Sequence, residues 1–195
     1  LQTSESPEIS FVQASKNIKK AIALGGEDYL SCFALGELYL LKKEPDKAIG
    51  ALERAIAINP NGARAYSYLG NLFTLTGEPE KGIKLVEKAM RLDPIPLDFY
   101  LIHLGNAYRA LGRYEDAIEV YRKVVQRSPN HLFAHIRLTA AYSASGRQEE
   151  ARRQAEELLR LDPAFSVDEY AEIGYFKDNE AKERYIADLR RAGLK

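Results

Sequence analysis

Apolar residues in this chain recur at helical spacing and are cut at regular intervals by short polar breaks. Between Tyr29 and Leu41, Leu35, Leu38 and Tyr39 with the small Gly36 suit the inner face of a first helix. The chain then breaks at Glu44-Pro45, and again at Gly77-Glu78-Pro79, Gly112-Arg113 and Gly146-Arg147. Pro45 and Pro79 suit the first turn of a helix, where a missing N–H goes unnoticed. Second helices follow with inner faces Ala48/Leu52/Ala55, Gly82/Val86/Ala89, Ala117/Tyr121/Val124 and Ala151/Ala155/Leu158, each spaced i, i+4, i+7. Each unit ends at Asn59-Pro60, Asp93-Pro94, Ser128-Pro129 or Asp162-Pro163, because a residue before proline is pushed out of the helical region.

These positions fall into columns. The prolines 60, 94, 129 and 163 are 34, 35 and 34 residues apart. Gly36, Gly70, Gly105 and Thr139 keep the same spacing, as do the aromatics Tyr39, Phe73, Tyr108 and Tyr142 and the small residues Ala48, Gly82, Ala117 and Ala151. A 34-residue period with two helices per unit is the pattern of tetratricopeptide repeats, and residues 29–165 resemble that family at its small, aromatic and proline positions. The resemblance implies an all-α fold, a right-handed α-α superhelix of about eleven helices with a C-terminal capping pair. The units are a partial repeat at 1–28 (second helix only), repeats at 29–62, 63–97, 98–131 and 132–165, and capping helices at 166–195. Small residues at Gly36 and Ala48 let paired helices approach while Leu35 and Leu52 fill the gaps. Thr139 in a small-residue column predicts a slightly wider last pair, and an extra residue in Pro94-Ile95-Pro96-Leu97 lengthens one junction.

At the N-terminal end Ala14, Ile18 and Ala21 stand in second-helix register with no first helix ahead of them, so we expect an array cut within a repeat and continuing upstream. After Pro163 the pattern lapses into two further helices, Ser166–Gly174 and Asn179–Ala192, the second with Arg184, Arg190 and Arg191 toward its end. A terminal unit must turn a polar face to water. The tail from Tyr175 to Leu194 also resembles the C-terminal part of repeat regions in bacterial class III adenylate/guanylate cyclases and some transcription regulators. That implies an alternative role as the regulatory or oligomerisation segment of a larger bacterial signalling protein, with its catalytic or DNA-binding domain upstream of Leu1.

Composition narrows the chemistry. Lys plus Arg and Asp plus Glu balance at 28 each, so no global field draws nucleic acid or an anionic membrane. No apolar run reaches the length of a membrane span. Cys32 is the single cysteine, which excludes an intramolecular disulfide and fits a cytoplasmic location. The phosphate-loop, dinucleotide, zinc-protease, serine-hydrolase and EF-hand patterns are absent, so we expect no catalysis, cofactor or metal in this chain. His131 and His135 have a spacing that binds metal on one helix, but they straddle a repeat junction and read as surface or junction groups. Cys32 reads as a small buried hydrophobe, and Tyr39, Tyr108, Tyr121 and Tyr142 read as core.

The remaining candidates lie on the first helices, which line the concave face in this family. Their outward positions hold Arg64, Tyr68, Asn71, His103, Asn106, Arg109 and Arg137. Asn71 and Asn106 are equivalent in adjacent repeats, and stacked amides offer donors and acceptors to an extended peptide's backbone. The arginines suit a carboxylate. Some family members clamp an acidic chaperone tail this way; Asn71 and Arg137 match that pattern, but Ser67 stands where the clamp has a lysine. The expected function is a scaffold that holds a protein or peptide partner in a groove, with self-association through the N-terminal half-repeat as a further expectation.

Overall fold

A computed structural model of the chain describes residues 16–18, 20, 22, 26–174 and 178–195. Among these the secondary structure is wholly helical. Ten complete helices follow one another: α1 (Tyr29–Leu41), α2 (Pro45–Ile58), α3 (Ala63–Leu75), α4 (Pro79–Leu92), α5 (Asp98–Ala110), α6 (Tyr114–Arg127), α7 (Leu132–Ala144), α8 (Gln148–Leu161), α9 (Val167–Ile173) and α10 (Asn179–Arg191). Residues 16–18, 20 and 22 are also helical, and Ile18 and Ile22 pack against Leu35, Leu38 and Ala51. Ala14 and Ala21, part of the expected half-repeat, lie outside the described residues.

The punctuation works as its chemistry dictates. Pro45 and Pro79 open α2 and α4. Asn59, Asp93, Ser128 and Asp162 leave the helical region, each ahead of its proline. The turns inside the hairpins use one left-handed residue. Gly77, Gly112 and Gly146 fill that place in three of them, and Lys43 holds it at φ 57° in the first, a conformation that costs a side-chain-bearing residue about 1 kcal/mol.

Paired helices nearly touch. A methyl group on Gly70 would stand 2.7 Å from the carbonyl oxygen of Gly82, so α3 and α4 meet backbone to backbone. At Gly36 the same methyl would lie 2.6 Å from Cγ of Leu52, a side chain wholly shielded from solvent. Thr139 is fully buried between α7 and its neighbours, its hydroxyl donating to the His135 carbonyl at 2.8 Å. Burial of each such leucine stabilises the stack by about 1.5–3 kcal/mol.

Successive pairs stack through the contact of each second helix with the next first helix (α2 on α3, α4 on α5, α6 on α7). First helices also touch one another along the array, whereas second helices make no comparable contact among the described residues. The stack therefore curves with α1, α3, α5 and α7 on its inner side, as the repeat pattern implies.

The two tail helices cap the array in a way the repeat does not suggest. Val167, Tyr185, Leu189, Ala192 and Leu194 join the core of the third and fourth repeats, and the Val167 N–H donates to the Lys195 carbonyl at 2.7 Å. Yet α10 packs on the first helix α7 rather than extending the stack. At the far end of α9, the Glu172 carbonyl accepts a 2.9 Å hydrogen bond from Lys43, 129 residues away in the first repeat. The tail thus runs back across the inner face.

Candidate functional site

The inner face carries two connected systems. The first is a row of rings across successive first helices. Phe33 of α1 meets Tyr68 of α3 edge-on at 5.2 Å, and Tyr68 meets Phe99 of α5 at 5.4 Å and His103 at 5.3 Å. The Arg64 guanidinium lies 5.1 Å from the Phe33 ring and 5.9 Å from Phe99, a cation–π arrangement. Phe133 of α7 lies in the same column one repeat beyond Phe99 and is 48% exposed. Burial, with a hydrogen bond to Glu37, raises the Tyr68 phenol's pKa, so the group stays neutral.

The second is a polar ladder. Asn106 donates from Nδ2 to Oδ1 of Asn71 at 3.1 Å. Its own Oδ1 accepts from the Tyr121 hydroxyl and from Nε of Arg137, both at 2.9 Å. Arg137 also donates to the Phe133 carbonyl at 3.2 Å. His103 is buried, with Nδ1 2.9 Å from the Ser67 hydroxyl and 3.1 Å from its carbonyl. Burial, reinforced by the Arg137 charge, lowers its pKa to about 3; the imidazole is neutral.

All seven residues singled out in the sequence belong to this face, but at different depths. Arg64 is exposed, while Tyr68, Asn106, Arg109 and Arg137 are half-buried. Asn71 and His103 lie beneath the surface. The two asparagine side chains are joined to each other, and each arginine rests on a ring: Arg64 on Phe33, Arg109 on Tyr185 at 4.3 Å, Arg137 on Phe133 at 5.6 Å.

Several contributors escaped the sequence reading. Phe99 and Phe133 occupy the column of Arg64 one and two repeats on, and aligning the repeats would have found them. Tyr185, Asp188 and Arg184 come from the tail and carry no repeat register. Together the tail and the inner face flank an open cavity of about 720 Å³, with Asn106, Arg109 and Arg137 on one wall and Arg184, Tyr185 and Asp188 on the other.

The histidine pair is taken up locally. His131 caps α7, its Nδ1 accepting from the Ala134 N–H. His135 is buried rather than on the surface, and it is tied to the repeat junction, within 2.7 Å of the Pro129 carbonyl and bonded to Gln154. Among the described residues no cluster of three or more metal-ligating side chains occurs. Cys32 is fully buried, and burial raises its thiol pKa. No helix among the described residues is long and apolar enough to cross a membrane.

A curved stack of helical hairpins whose inner face holds organised rings, amides and guanidinium groups has the architecture of a helical-repeat interaction scaffold. Two family models, both described as tetratricopeptide repeat, match residues 29–61 and 98–164, together just over half of the chain. The chain belongs to the tetratricopeptide repeat family. No curated protein matches it in sequence. Among solved structures it is similar to PilW, a widely conserved type IV pilus biogenesis factor (TM-score 0.74, 18% identity, 93% of this chain and 81% of that one). It is also similar to a thermophilic tetratricopeptide protein of Thermus thermophilus (TM-score 0.71, 18% identity, 92% and 91%). A third is YrrB, described as having an unusual peptide-binding site (TM-score 0.60, 21% identity, 90% of each chain). At these identities the likeness speaks to the fold.

Proposed function

We propose that this chain binds a peptide segment of a partner protein along the inner face of its first helices. The observation that carries the reading is the ring row from Phe33 through Tyr68 and Phe99, with Arg64 beside it and Phe133 exposed beyond it. Its members hold one another in place, so little side-chain freedom is lost when a ligand lands, and preorganisation of this kind favours affinity. Rings with an arginine are also the residue types that dominate binding hot spots. YrrB, similar in fold, is described as having a peptide-binding site, and a comparable use of this face fits that precedent.

The asparagines enter this reading differently from the sequence-level idea. With Asn106 Oδ1 already accepting two hydrogen bonds, the ladder stiffens the floor of the groove, and contact with the peptide falls to Arg64, Tyr68, Phe99 and Phe133. The test is selection of binding peptides from a displayed random library, then titration calorimetry with a selected peptide. Arg64→Ala with Phe133→Ala is expected to weaken it at least about tenfold, the loss of one modest hot spot. Selected peptides that bind the double variant as tightly as the parent chain would end the groove reading.

Self-association as part of a larger signalling protein is the second reading. It is favoured by Leu30 and Leu41 of α1, which are 71% and 62% exposed. A concentration-dependent mass in sedimentation equilibrium, abolished by Leu30→Ser with Leu41→Ser, supports it; a constant monomer mass rejects it.

A further inference from the structure

Buried charge is costly unless it is paired, and this chain obeys that rule at Arg147. That half-buried guanidinium reaches Glu150 at 2.8 Å and Glu115 at 3.0 Å. Arg109 and Arg137 are also half-buried, and among the described residues neither has a carboxylate within 4.0 Å. Both open onto the cavity between the inner face and the tail. The Arg109 guanidinium is steadied by the Tyr185 ring at 4.3 Å and makes no hydrogen bond among the described residues. Arg137 is fixed by Asn106 and the Phe133 carbonyl through Nε and one terminal nitrogen. The rotamers are set, and N–H donors are left over.

The opposite wall adds charge of both signs. Asp188 pairs with Arg191 at 3.1 Å, and Arg184 pairs loosely with Glu180 at 3.6 Å while remaining exposed. Asp188 is nearly inaccessible, and burial keeps its carboxyl above the usual range despite the pull of Arg191, Arg109 and Arg184. Of the lining guanidinium groups, Arg184 and Arg191 are paired with Glu180 and Asp188, Asp178 caps the start of α10, and Arg109 and Arg137 are the two left without a carboxylate among the described residues.

We propose that this tail-roofed cavity binds a phosphoryl group of a phosphate monoester, held by Arg109 and Arg137 with Arg184 at the rim. A monoester carries close to two negative charges near neutral pH, which matches the two guanidinium groups left without a carboxylate; a single carboxylate matches one of them. Guanidinium forks also match phosphate oxygens in geometry. At about 720 Å³ the cavity has the size of a small-molecule site, with room for the group that bears the phosphate. Tyr185 and Tyr170 supply ring surface beside it. The proposal deepens the groove reading and rests on it for placing the ligand on the inner face. Half of its site comes from the tail, outside the repeats.

The test titrates the whole chain at low ionic strength with phenyl phosphate, inorganic phosphate and acetate, following arginine side-chain Nε resonances and heat. Phenyl phosphate is expected to bind saturably and to shift the Arg109 and Arg137 signals. Acetate is expected to bind at least about tenfold more weakly, and Arg109→Gln to weaken phenyl phosphate by about tenfold or more, the loss of a charged hydrogen bond. Tighter binding of phenyl phosphate than of inorganic phosphate assigns the site to phosphorylated side chains or organic phosphates; equal binding assigns it to free phosphate. Should Arg109→Gln unseat the tail, the shifts in the unaltered chain and the weakening expected in the exposed Arg184→Gln variant decide the matter. The proposal is overturned by no saturable shift at either arginine, by equal affinity for acetate, or by unchanged binding in both variants. A chain that binds selected peptides but not phenyl phosphate refutes this inference alone and leaves the groove intact.

Discussion

The same substitution should have opposite effects at two glycines of this chain, and the difference measures how closely its helices approach. Glycine inside a helix costs about 1 kcal/mol relative to alanine. Gly50 lies inside α2, and a methyl there would meet nothing within 4 Å. Gly50→Ala is therefore expected to stabilise the chain by about 1 kcal/mol. At Gly70 the added methyl would sit 2.7 Å from the Gly82 carbonyl oxygen and 2.8 Å from Cγ2 of the fully buried Val86. Neither can swing aside, because one is main chain and the other is enclosed. Relief requires separating α3 from α4, and overpacking of this kind costs about 1–3 kcal/mol or more. Taking the upper end and subtracting the helix-propensity gain leaves Gly70→Ala about 2 kcal/mol less stable. Urea denaturation followed by helical circular dichroism, with the unfolding slope checked to be unchanged, reads both variants against the parent. A Gly70→Ala chain as stable as Gly50→Ala would mean that the paired backbones are not in contact, and the stacking account would fail with it.

Three further outcomes follow from individual contacts. His103 is held neutral with a pKa of about 3 against an ordinary 6.5. A depressed base stabilises the fold fully above about pH 6.5, and that contribution is lost as pH falls toward 3; from pH 7.5 to 5 the loss is about 2 kcal/mol. Stability measured at those two pH values in His103→Gln should fall by correspondingly less, and an equal fall in both chains would refute the buried neutral imidazole. Tyr121→Phe removes the hydroxyl that donates to Asn106 and should cost about 1 kcal/mol. Combined with Asn106→Ala it should cost less than the sum, whereas strict additivity would deny the coupling. Tyr185→Ala removes a buried ring from the tail's contact with Arg109. Because solenoid stability is carried by neighbouring units, amide exchange should quicken across residues 179–194 while α3 to α6 keep their protection; quickening throughout would show that the tail is not a separable unit.

The repeats were legible because one mechanical rule recurs: a small residue wherever a partner helix approaches, a proline wherever a unit ends. Gly36, Gly70 and Gly105 each announce a contact whose partner lies at a fixed offset. The seven residues assigned to the inner face were readable for the same reason, since register gives direction. Depth was not readable. His103 occupies an outward column, yet the rings of Tyr68 and Phe99 close over it, and register says nothing about the size of a neighbour's side chain. The asparagine pair was visible as a column, but its bonds to Tyr121 and Arg137 depend on the distance between helices. The course of the tail was least legible. Its return depends on Lys43 reaching Glu172 and on Arg109 meeting Tyr185, contacts between segments with no shared period.

The central claim is that ligands are received on the inner face, between the ring row and the tail, and backbone amide shift mapping with a selected peptide tests it most directly. The account predicts shifts concentrated on α1, α3, α5 and α7, strongest near Arg64, Tyr68, Phe99 and Phe133, with α2, α4, α6 and α8 little changed. Shifts centred on the outward residues of the second helices, such as Glu53, Lys84, Glu119 and Arg152, would contradict it.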